Sequence, residues 1–153
     1  MTSTIDATLA ELGLALPQAA APVAAYVPAV EAGGLLHVSG QLPFRDGRVV
    51  TGRLGEDVSL EEGQEAAKLC GLMLAAQIKA ALGGFERVRR IVKLGVFVNS
   101  APGFTDQPKV ANGASELMVA LFGEAGRHAR AAVGVAALPL GAAVEVDAVV
   151  ELG

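Results

Sequence analysis

The sequence predicts an α+β fold in which one mixed β-sheet carries two α-helices on one face. Three observations support this prediction. Apolar residues recur at helical spacing in segments 59–84 and 101–126, and a β-branched segment, 90–100, separates them. Short strand-like segments precede the first of these helices. Two more close the chain, and this order is typical of helices segregated to one face of a sheet.

Turn and capping residues delimit the first elements. A short predicted helix begins at Ser3 or Thr4, either of which can cap it, and it ends at Gly13. Two strands follow, with a turn at Gly33–Gly34. The Asp46–Gly47 pair then predicts a tight turn.

Both long helices carry recognisable start signals. Ser59 and Glu62 form a capping box at the start of the first, and Gly83–Gly84 ends it. Thr105 or Asp106 can cap the second. We therefore expect two amphipathic helices that pack on the same sheet.

Composition predicts an oligomer. Hydrophobic residues make up 52% of the 153 residues, whereas charged residues make up only 18%. A small domain needs many polar residues to cover its surface, and so few charged residues are explained if part of that surface is buried between subunits. The open face of the predicted sheet also needs a cover, so we expect a homo-oligomer.

Charge and cysteine content narrow the functional classes. The formal net charge is −4 and the sequence pI is about 5.1, which argues against nucleic-acid binding. A single cysteine, Cys70, fits a cytoplasmic location, and its apolar helical position predicts an inert buried thiol. Since no Lys or Arg precedes Arg45, we expect neither a signal peptide nor a membrane anchor.

The closing segment, residues 128–150, reads as a hairpin of two strands joined by a Pro/Gly turn. Alternation puts Arg130 on a face floored with Ala and Gly, and it turns Val133 and Val135 toward the core. In the second strand, Glu145 is expected on the same face as Arg130. The small Ala and Gly residues beside the two charges leave room for a small ligand.

The chemistry of these two side chains suggests a ligand class. The guanidinium of Arg130 presents paired donors that match a carboxylate. Glu145 could orient or deprotonate a water molecule. A structural Arg130–Glu145 salt bridge is the alternative explanation of the same pattern.

Two stretches carry a resemblance to a known family. Residues 129–148, ARAAVGVAALPLGAAVEVDA, match the pattern A-R-x-x-V-x-V-A-x-L-P-x-G-A-x-V-E-V-x-A. Upstream, AYVPAVEAGGLLHVSGQLP matches Y-V-x-A-V followed by V-S-G-Q-x-P. From about Val23 onward, the chain resembles the RidA (YjgF-like) reactive-intermediate deaminases.

The resemblance implies a chorismate-mutase-like fold assembled as a homotrimer, with ligand sites between subunits and no cofactor. It implies hydrolysis of reactive enamines and imines, such as 2-aminoacrylate and 2-iminopropionate, to 2-ketoacids and ammonia. Residues 21–153 would form the RidA-like domain. Residues 1–20 would be an extension like that of a longer subgroup often labelled endoribonuclease L-PSP.

Site residues follow from the same resemblance. Arg130 matches the family's carboxylate-binding arginine and Glu145 its water-orienting glutamate. Ala132 stands where many members have Cys or Thr, so a thiol or hydroxyl contact to the ligand is missing. The resemblance implies cleft-lining roles for five further residues: Tyr26, Ser39, Gly40, Phe104 and Asn112.

Three other functions stay open at the level of the sequence. A non-catalytic trimer that binds small carboxylates would need Arg130 but would tolerate the loss of Glu145. Endoribonuclease activity conflicts with the acidic balance, and chorismate mutase rests only on fold analogy. His37 and His128 have no Cys or carboxylate at ligand spacing, so no metal site is expected.

Overall fold

The computed structural model describes residues 4–22 and 24–153. Ser3, one of the two predicted caps of the first helix, lies outside them. In chain order the elements are α1 (Thr4–Glu11), β1 (Ala29–Ala32), β2 (Leu35–Gln41), β3 (Phe44–Arg45), β4 (Arg48–Val49), α2 (Leu60–Leu82), β5 (Val88–Asn99), α3 (Gln107–Phe122), β6 (Ala129–Val135) and β7 (Val144–Leu152). Short 3₁₀ turns span Gly123–Gly126 and Pro139–Gly141.

Five strands form one mixed sheet in the order β1-β2-β7-β5-β6. The β5–β6 pair is parallel and the other pairs are antiparallel. Helices α2 and α3 pack against each other and against one face of the sheet. The predicted α+β arrangement is confirmed. The opposite face, here called the open face, carries no helix of residues 4–22 or 24–153.

Local signals account for the ends of the elements. The hydroxyl of Ser59 accepts a hydrogen bond of 3.1 Å from the backbone N–H of Glu62, as the capping box predicts. Gly83 ends α2 in the left-handed conformation, at φ +74°. Asp46 and Gly47 also have positive φ, which two-residue hairpin turns require.

The core lies between the two long helices and the sheet. Val144, Val146 and Ala148 point from β7 toward the helices and are buried. Ile5 and Leu9 of α1 join the same cluster, so the N-terminal helix is packed onto the domain. Within the described residues, no helix combines the length and the apolar character that crossing a membrane requires.

The predicted terminal hairpin is wrong. Strands β6 and β7 are antiparallel to each other, but β5 lies between them and pairs with both. The connection over residues 136–143 crosses the end of β5. Asn99 and Arg53 hold it there, because Asn99 Nδ2 donates to the carbonyl of Ala142 at 3.1 Å and Arg53 Nη2 to that of Ala136 at 2.9 Å.

The predicted shared face of Arg130 and Glu145 is also wrong. Arg130 pairs with Leu94, whose side chain is buried on the helix side, so Arg130 lies on that side too. Glu145 pairs with Phe97 on the open face. Val133 and Val135 accordingly point away from the core, and Val133 is 47% exposed.

Candidate functional site

Glu145 borders a small cavity beside the open face, here called the glutamate pocket. Its volume is about 60 Å³, which is room for a few water molecules. Most of the lining is apolar, so a polar ligand atom in the pocket would find few partners besides Glu145. The lining residues are 20–22, Tyr26, Pro28, Gly40, Gln41, Leu42, Phe44, Pro139 and Glu145.

Gly40 makes room for the carboxylate of Glu145. The two residues lie on neighbouring strands, β2 and β7, next to an irregularity in the register between Val38 and Gln41. A methyl group on Gly40 would come within 2.5 Å of Oε2 of Glu145. Because glycine has no such group, the carboxylate lies directly on the backbone of β2.

Burial changes the acidity of Glu145. Desolvation raises its pKa above the ordinary value for glutamate, and the neighbouring charge of Asp147 raises that pKa further. A carboxylate whose pKa is raised toward neutrality accepts a proton from water more readily than an ordinary one does. The raised pKa therefore makes Glu145 a stronger proton acceptor than an ordinary glutamate.

Tyr26 and Ser39, two of the expected cleft residues, lie on this side of the chain. Tyr26 lines the glutamate pocket and is 45% exposed. Ser39 is one step removed, because its hydroxyl donates to the carbonyl of Val27 at 2.9 Å. That bond ties the segment carrying Tyr26 to β2, so Ser39 supports the wall of the pocket.

Two buried glutamines fix another wall of the pocket. Gln77 of α2 donates from Nε2 to the carbonyl of Ala20 at 2.8 Å and to Oε1 of Gln41 at 3.2 Å. Gln41 in turn donates to the carbonyl of Ser39 at 2.8 Å. This chain of bonds holds the segment at Ala20 against the pocket.

Arg130 belongs to a second group of polar side chains, here called the arginine cluster: Arg130, Asn112, Ser115 and His128. Nη1 of Arg130 donates to Oδ1 of Asn112 at 2.9 Å and to the hydroxyl of Ser115 at 3.1 Å. Nη2 donates to the carbonyl of Pro108 at 3.2 Å. Asn112, expected near the ligand, thus contacts Arg130 directly.

The guanidinium of Arg130 keeps part of its binding capacity. It has five N–H groups, and three of them make the bonds just described. Nε–H and the second N–H of Nη2 have no partner among the described residues. Two such donors form a fork that matches a carboxylate.

Ala132 and Phe104 extend the side of the sheet that carries Arg130. Ala132 follows Arg130 on the same face of β6 and packs against the core cluster. Phe104 lies in the loop before α3 and borders a shallow depression together with Gln107 and Gly134. Neither residue lines the glutamate pocket.

The expected site is thus divided between two places in one chain. Arg130 and Glu145 are two strands and three residues apart, on opposite faces. At ordinary strand spacings their Cα atoms are about 14 Å apart. This separation rules out the Arg130–Glu145 salt bridge, and the structure brings Tyr26 and Gly40 to Glu145 but Asn112 to Arg130.

Ser115 and His128 were not predicted as site residues. Ser115 follows Asn112 by three residues on α3, and His128 precedes Arg130 by two residues. Residues at these spacings lie on one helix face and along one strand face, respectively. The pattern N-x-x-S followed by H-x-R therefore indicated that Ser115 and His128 could lie beside Asn112 and Arg130.

The sequence and the fold both resemble those of known proteins. A family model described as "YjgF/chorismate_mutase-like, putative endoribonuclease" matches residues 6–152. The chain belongs to the YjgF family. The resemblance to RidA and YjgF-like proteins is thereby confirmed over nearly the whole chain.

Three proteins are similar to this chain at different levels of sequence identity. Protein TCP17 of Trypanosoma cruzi is 59% identical over 150 residues, which cover 97% of this chain and 94% of TCP17. The protein Atu1372 of Agrobacterium tumefaciens, of unknown function, is 51% identical with a TM-score of 0.92, over 98% and 93% of the two chains. RidA of the Antarctic bacterium Psychrobacter sp. PAMC 21119 is 30% identical with a TM-score of 0.62, over 88% and 94%.

Proposed function

We propose that the protein is an enamine/imine deaminase that hydrolyses reactive 2-imino acids, such as 2-iminopropionate, to 2-ketoacids and ammonia. Arg130 would bind the substrate carboxylate and Glu145 would activate water. The observation that carries the proposal is the pair of incomplete half-sites. Arg130 offers an unused donor fork, and Glu145 is a half-buried carboxylate with a raised pKa beside a small cavity.

The reaction needs only these two groups and water. Glu145 accepts a proton from water while the oxygen forms a bond to the imine carbon. The proton is then returned to the nitrogen of the tetrahedral intermediate. The proton of the new hydroxyl group follows to the nitrogen through Glu145 as the C–N bond breaks. Ammonia leaves with the electron pair of that bond, and the hydroxyl oxygen becomes the carbonyl oxygen of the 2-ketoacid. No atom changes its oxidation level overall, so the mechanism requires no cofactor. Positioning of water and substrate supplies the rate enhancement.

We further propose that each site lies between two subunits of a homotrimer. One subunit would supply Tyr26, Gly40 and Glu145, and its neighbour would supply Arg130 and Asn112. The separation of Arg130 and Glu145 within one chain supports this, since their side chains leave opposite faces of the sheet and one small ligand cannot contact both. Exposed Val133 on the open face provides apolar surface for the contact.

The direct test generates imino acids from amino acids with an L-amino-acid oxidase and traps them with semicarbazide. The wild-type protein is expected to suppress semicarbazone formation. Glu145→Gln should lower the rate of suppression by about 100-fold or more, because general base catalysis is removed. Arg130→Ala should weaken the affinity for pyruvate, a 2-ketoacid product, by about 10- to 100-fold.

Arg130→Lys is the matched control for Arg130→Ala. It keeps the positive charge but removes the planar fork, so an intermediate affinity for pyruvate is expected. If the wild-type protein leaves the semicarbazone signal unchanged with every imino acid but still binds pyruvate through Arg130, the protein is a carboxylate-binding module. If both Arg130 variants keep wild-type activity and wild-type affinity for pyruvate, Arg130 does not bind the substrate carboxylate.

The family description also contains the word endoribonuclease. RNA binding draws most of its affinity from contacts between cations and phosphates, and the net charge of −4 opposes it. RNA incubated with the wild-type protein is expected to stay intact. Cleavage that disappears in Glu145→Gln would favour a nuclease at the same site.

A further inference from the structure

We propose that Ser115 and His128 are positioning residues that hold the guanidinium of Arg130 in its ligand-binding orientation. They do so through a chain of hydrogen bonds that ends on the backbone at Gly126. The proposal rests on the carboxylate-binding role of Arg130 proposed above. It adds two residues to that half of the site.

The hydrogen bonds fix the direction of this chain. Nδ1 of His128 lies 2.6 Å from the carbonyl oxygen of Gly126, a group that can only accept, so Nδ1 carries the hydrogen. In the neutral ring Nε2 is then the acceptor, and it lies 2.8 Å from the hydroxyl of Ser115. Ser115 therefore donates to His128, and its oxygen accepts from Nη1 of Arg130 at 3.1 Å.

The far end of the chain is rigid. A methyl group on Gly126 would overlap the carbonyl oxygen of Met118, so this residue packs directly on the backbone of α3. The next residue is held as well, because Nη2 of Arg90 donates to the carbonyl of Arg127 at 2.7 Å. Both contacts fix the carbonyl on which the ring of His128 rests.

Arg130 needs such support because of its place in the sheet. It lies on β6, which is an edge strand, and its long side chain is only partly buried. A flexible guanidinium must lose conformational freedom when it binds a ligand, whereas one that is already held loses less. Asn112 and Ser115 both accept from Nη1 and Pro108 accepts from Nη2, and this leaves Nε–H and one N–H of Nη2 for a ligand.

The protonation state of His128 agrees with this arrangement. Burial lowers the pKa of His128, and the charge of Arg130 lowers it further, whereas the bond to Gly126 acts in the opposite direction. The ring is therefore neutral at neutral pH and accepts the hydrogen of Ser115. In serine hydrolases a histidine activates the nucleophilic serine. Here the oxygen of Ser115 accepts a hydrogen bond from Arg130, which makes it a weaker nucleophile.

The test measures the affinity for pyruvate by calorimetry, and KM and kcat for an imino acid, in four variants of the full chain. Ser115→Ala and His128→Leu break the chain, and each is expected to weaken pyruvate binding and raise KM by about threefold to tenfold, with kcat unchanged. Ser115→Thr keeps the hydroxyl and His128→Gln keeps an acceptor, so both should stay close to wild type. Glu116→Ala, an exposed neighbour on α3, is the matched control.

The outcomes separate this inference from the proposed function. If Arg130→Ala loses pyruvate binding while Ser115→Ala and His128→Leu keep it, the positioning role is wrong and the function stands. A fall in kcat at constant KM would also overturn it, because the two residues would then act in the chemical step. If the wild-type protein neither binds pyruvate nor hydrolyses imines, the proposed function itself fails. If His128→Leu does not fold, the difference in pyruvate affinity between Ser115→Ala and Ser115→Thr decides whether the positioning role is right.

Discussion

At the residue scale, glycines set the environment of two carboxylates on β7. Glu145 lies on Gly40 of β2, and Asp147 lies on Gly95 of β5 in the same manner. Because the glycines lack side chains, both carboxylates sink toward the sheet and lose part of their hydration. Burial raises the pKa of Glu145 and also that of Asp147, where the backbone of Gly95 and the charge of Lys93 partly oppose it.

This burial predicts how Glu145 affects stability. A carboxyl group whose pKa is raised by folding destabilises the folded chain at pH values where it is ionised. Glu145→Gln should therefore raise the melting temperature at neutral pH. The gain should shrink as the pH falls toward the ordinary range for glutamate, where the wild-type group is protonated in both states.

Thermal unfolding followed by circular dichroism between pH 4 and 8 checks this expectation. Glu116→Gln, on the exposed side of α3, is the control and should leave the melting temperature unchanged. A melting temperature for Glu145→Gln below that of wild type at neutral pH would mean that the charge of Glu145 stabilises the chain. In that case the carboxylate would have a structural role.

At the scale of elements, helices and turns were predictable because their signals are local. The capping box at Ser59 and the paired positive φ values at Asp46 and Gly47 depend only on neighbouring residues. Strand β6 was not predictable in the same way. Its sequence, ARAAVGV, has no clear apolar face, and as an edge strand with one open face it leaves Val133 exposed. Which residues of β6 face the helices therefore depends on contacts with residues that are distant in sequence.

The contact between α2 and α3 depends on glycine. A methyl group on Gly113 of α3 would overlap the backbone carbonyl of Gln64 on α2. Since that backbone cannot move without the helix, Gly113→Ala should lower the free energy of unfolding by about 1–3 kcal/mol. Chemical denaturation measures this change.

Gly71 provides the matched comparison for Gly113. The closest atom to a methyl group there would be the end of the Leu117 side chain, at 2.9 Å, and the next two atoms are at ordinary contact distances of 3.5 and 3.7 Å. Leu117 can shift, and alanine is the better helix former, so Gly71→Ala should destabilise the chain clearly less than Gly113→Ala. Equal losses in the two variants would show that the close backbone approach does not limit the packing of the helices.

At the scale of the whole molecule, topology explains why the site was only half predictable. Arg130 and Glu145 could be proposed as site residues from the sequence motifs that they occupy. Their relation could not, because the short connection between β6 and β7 suggested a hairpin, whereas β5 runs between the two strands. Inserting one strand separates the two side chains and leaves each half-site without its partner.

A division of the site between subunits has a consequence that a site within one chain lacks. Arg130→Ala and Glu145→Gln each remove one half of every site in a homo-oligomer. If the two impaired variants are mixed, dissociated and reassembled, some interfaces will combine an intact arginine from one subunit with an intact glutamate from the next. Random assembly into a closed ring gives about a quarter of all sites in this form.

Imine hydrolysis by the reassembled mixture is therefore expected to recover to about a quarter of the wild-type rate. The same variants mixed without dissociation are the control and should keep the low rates of the single variants, as should either variant reassembled alone. If reassembled hetero-oligomers form but no activity returns, then Arg130 and Glu145 of a single subunit must serve the same site. The strands would then have to rearrange on binding, since the fold holds the two side chains on opposite faces of the sheet.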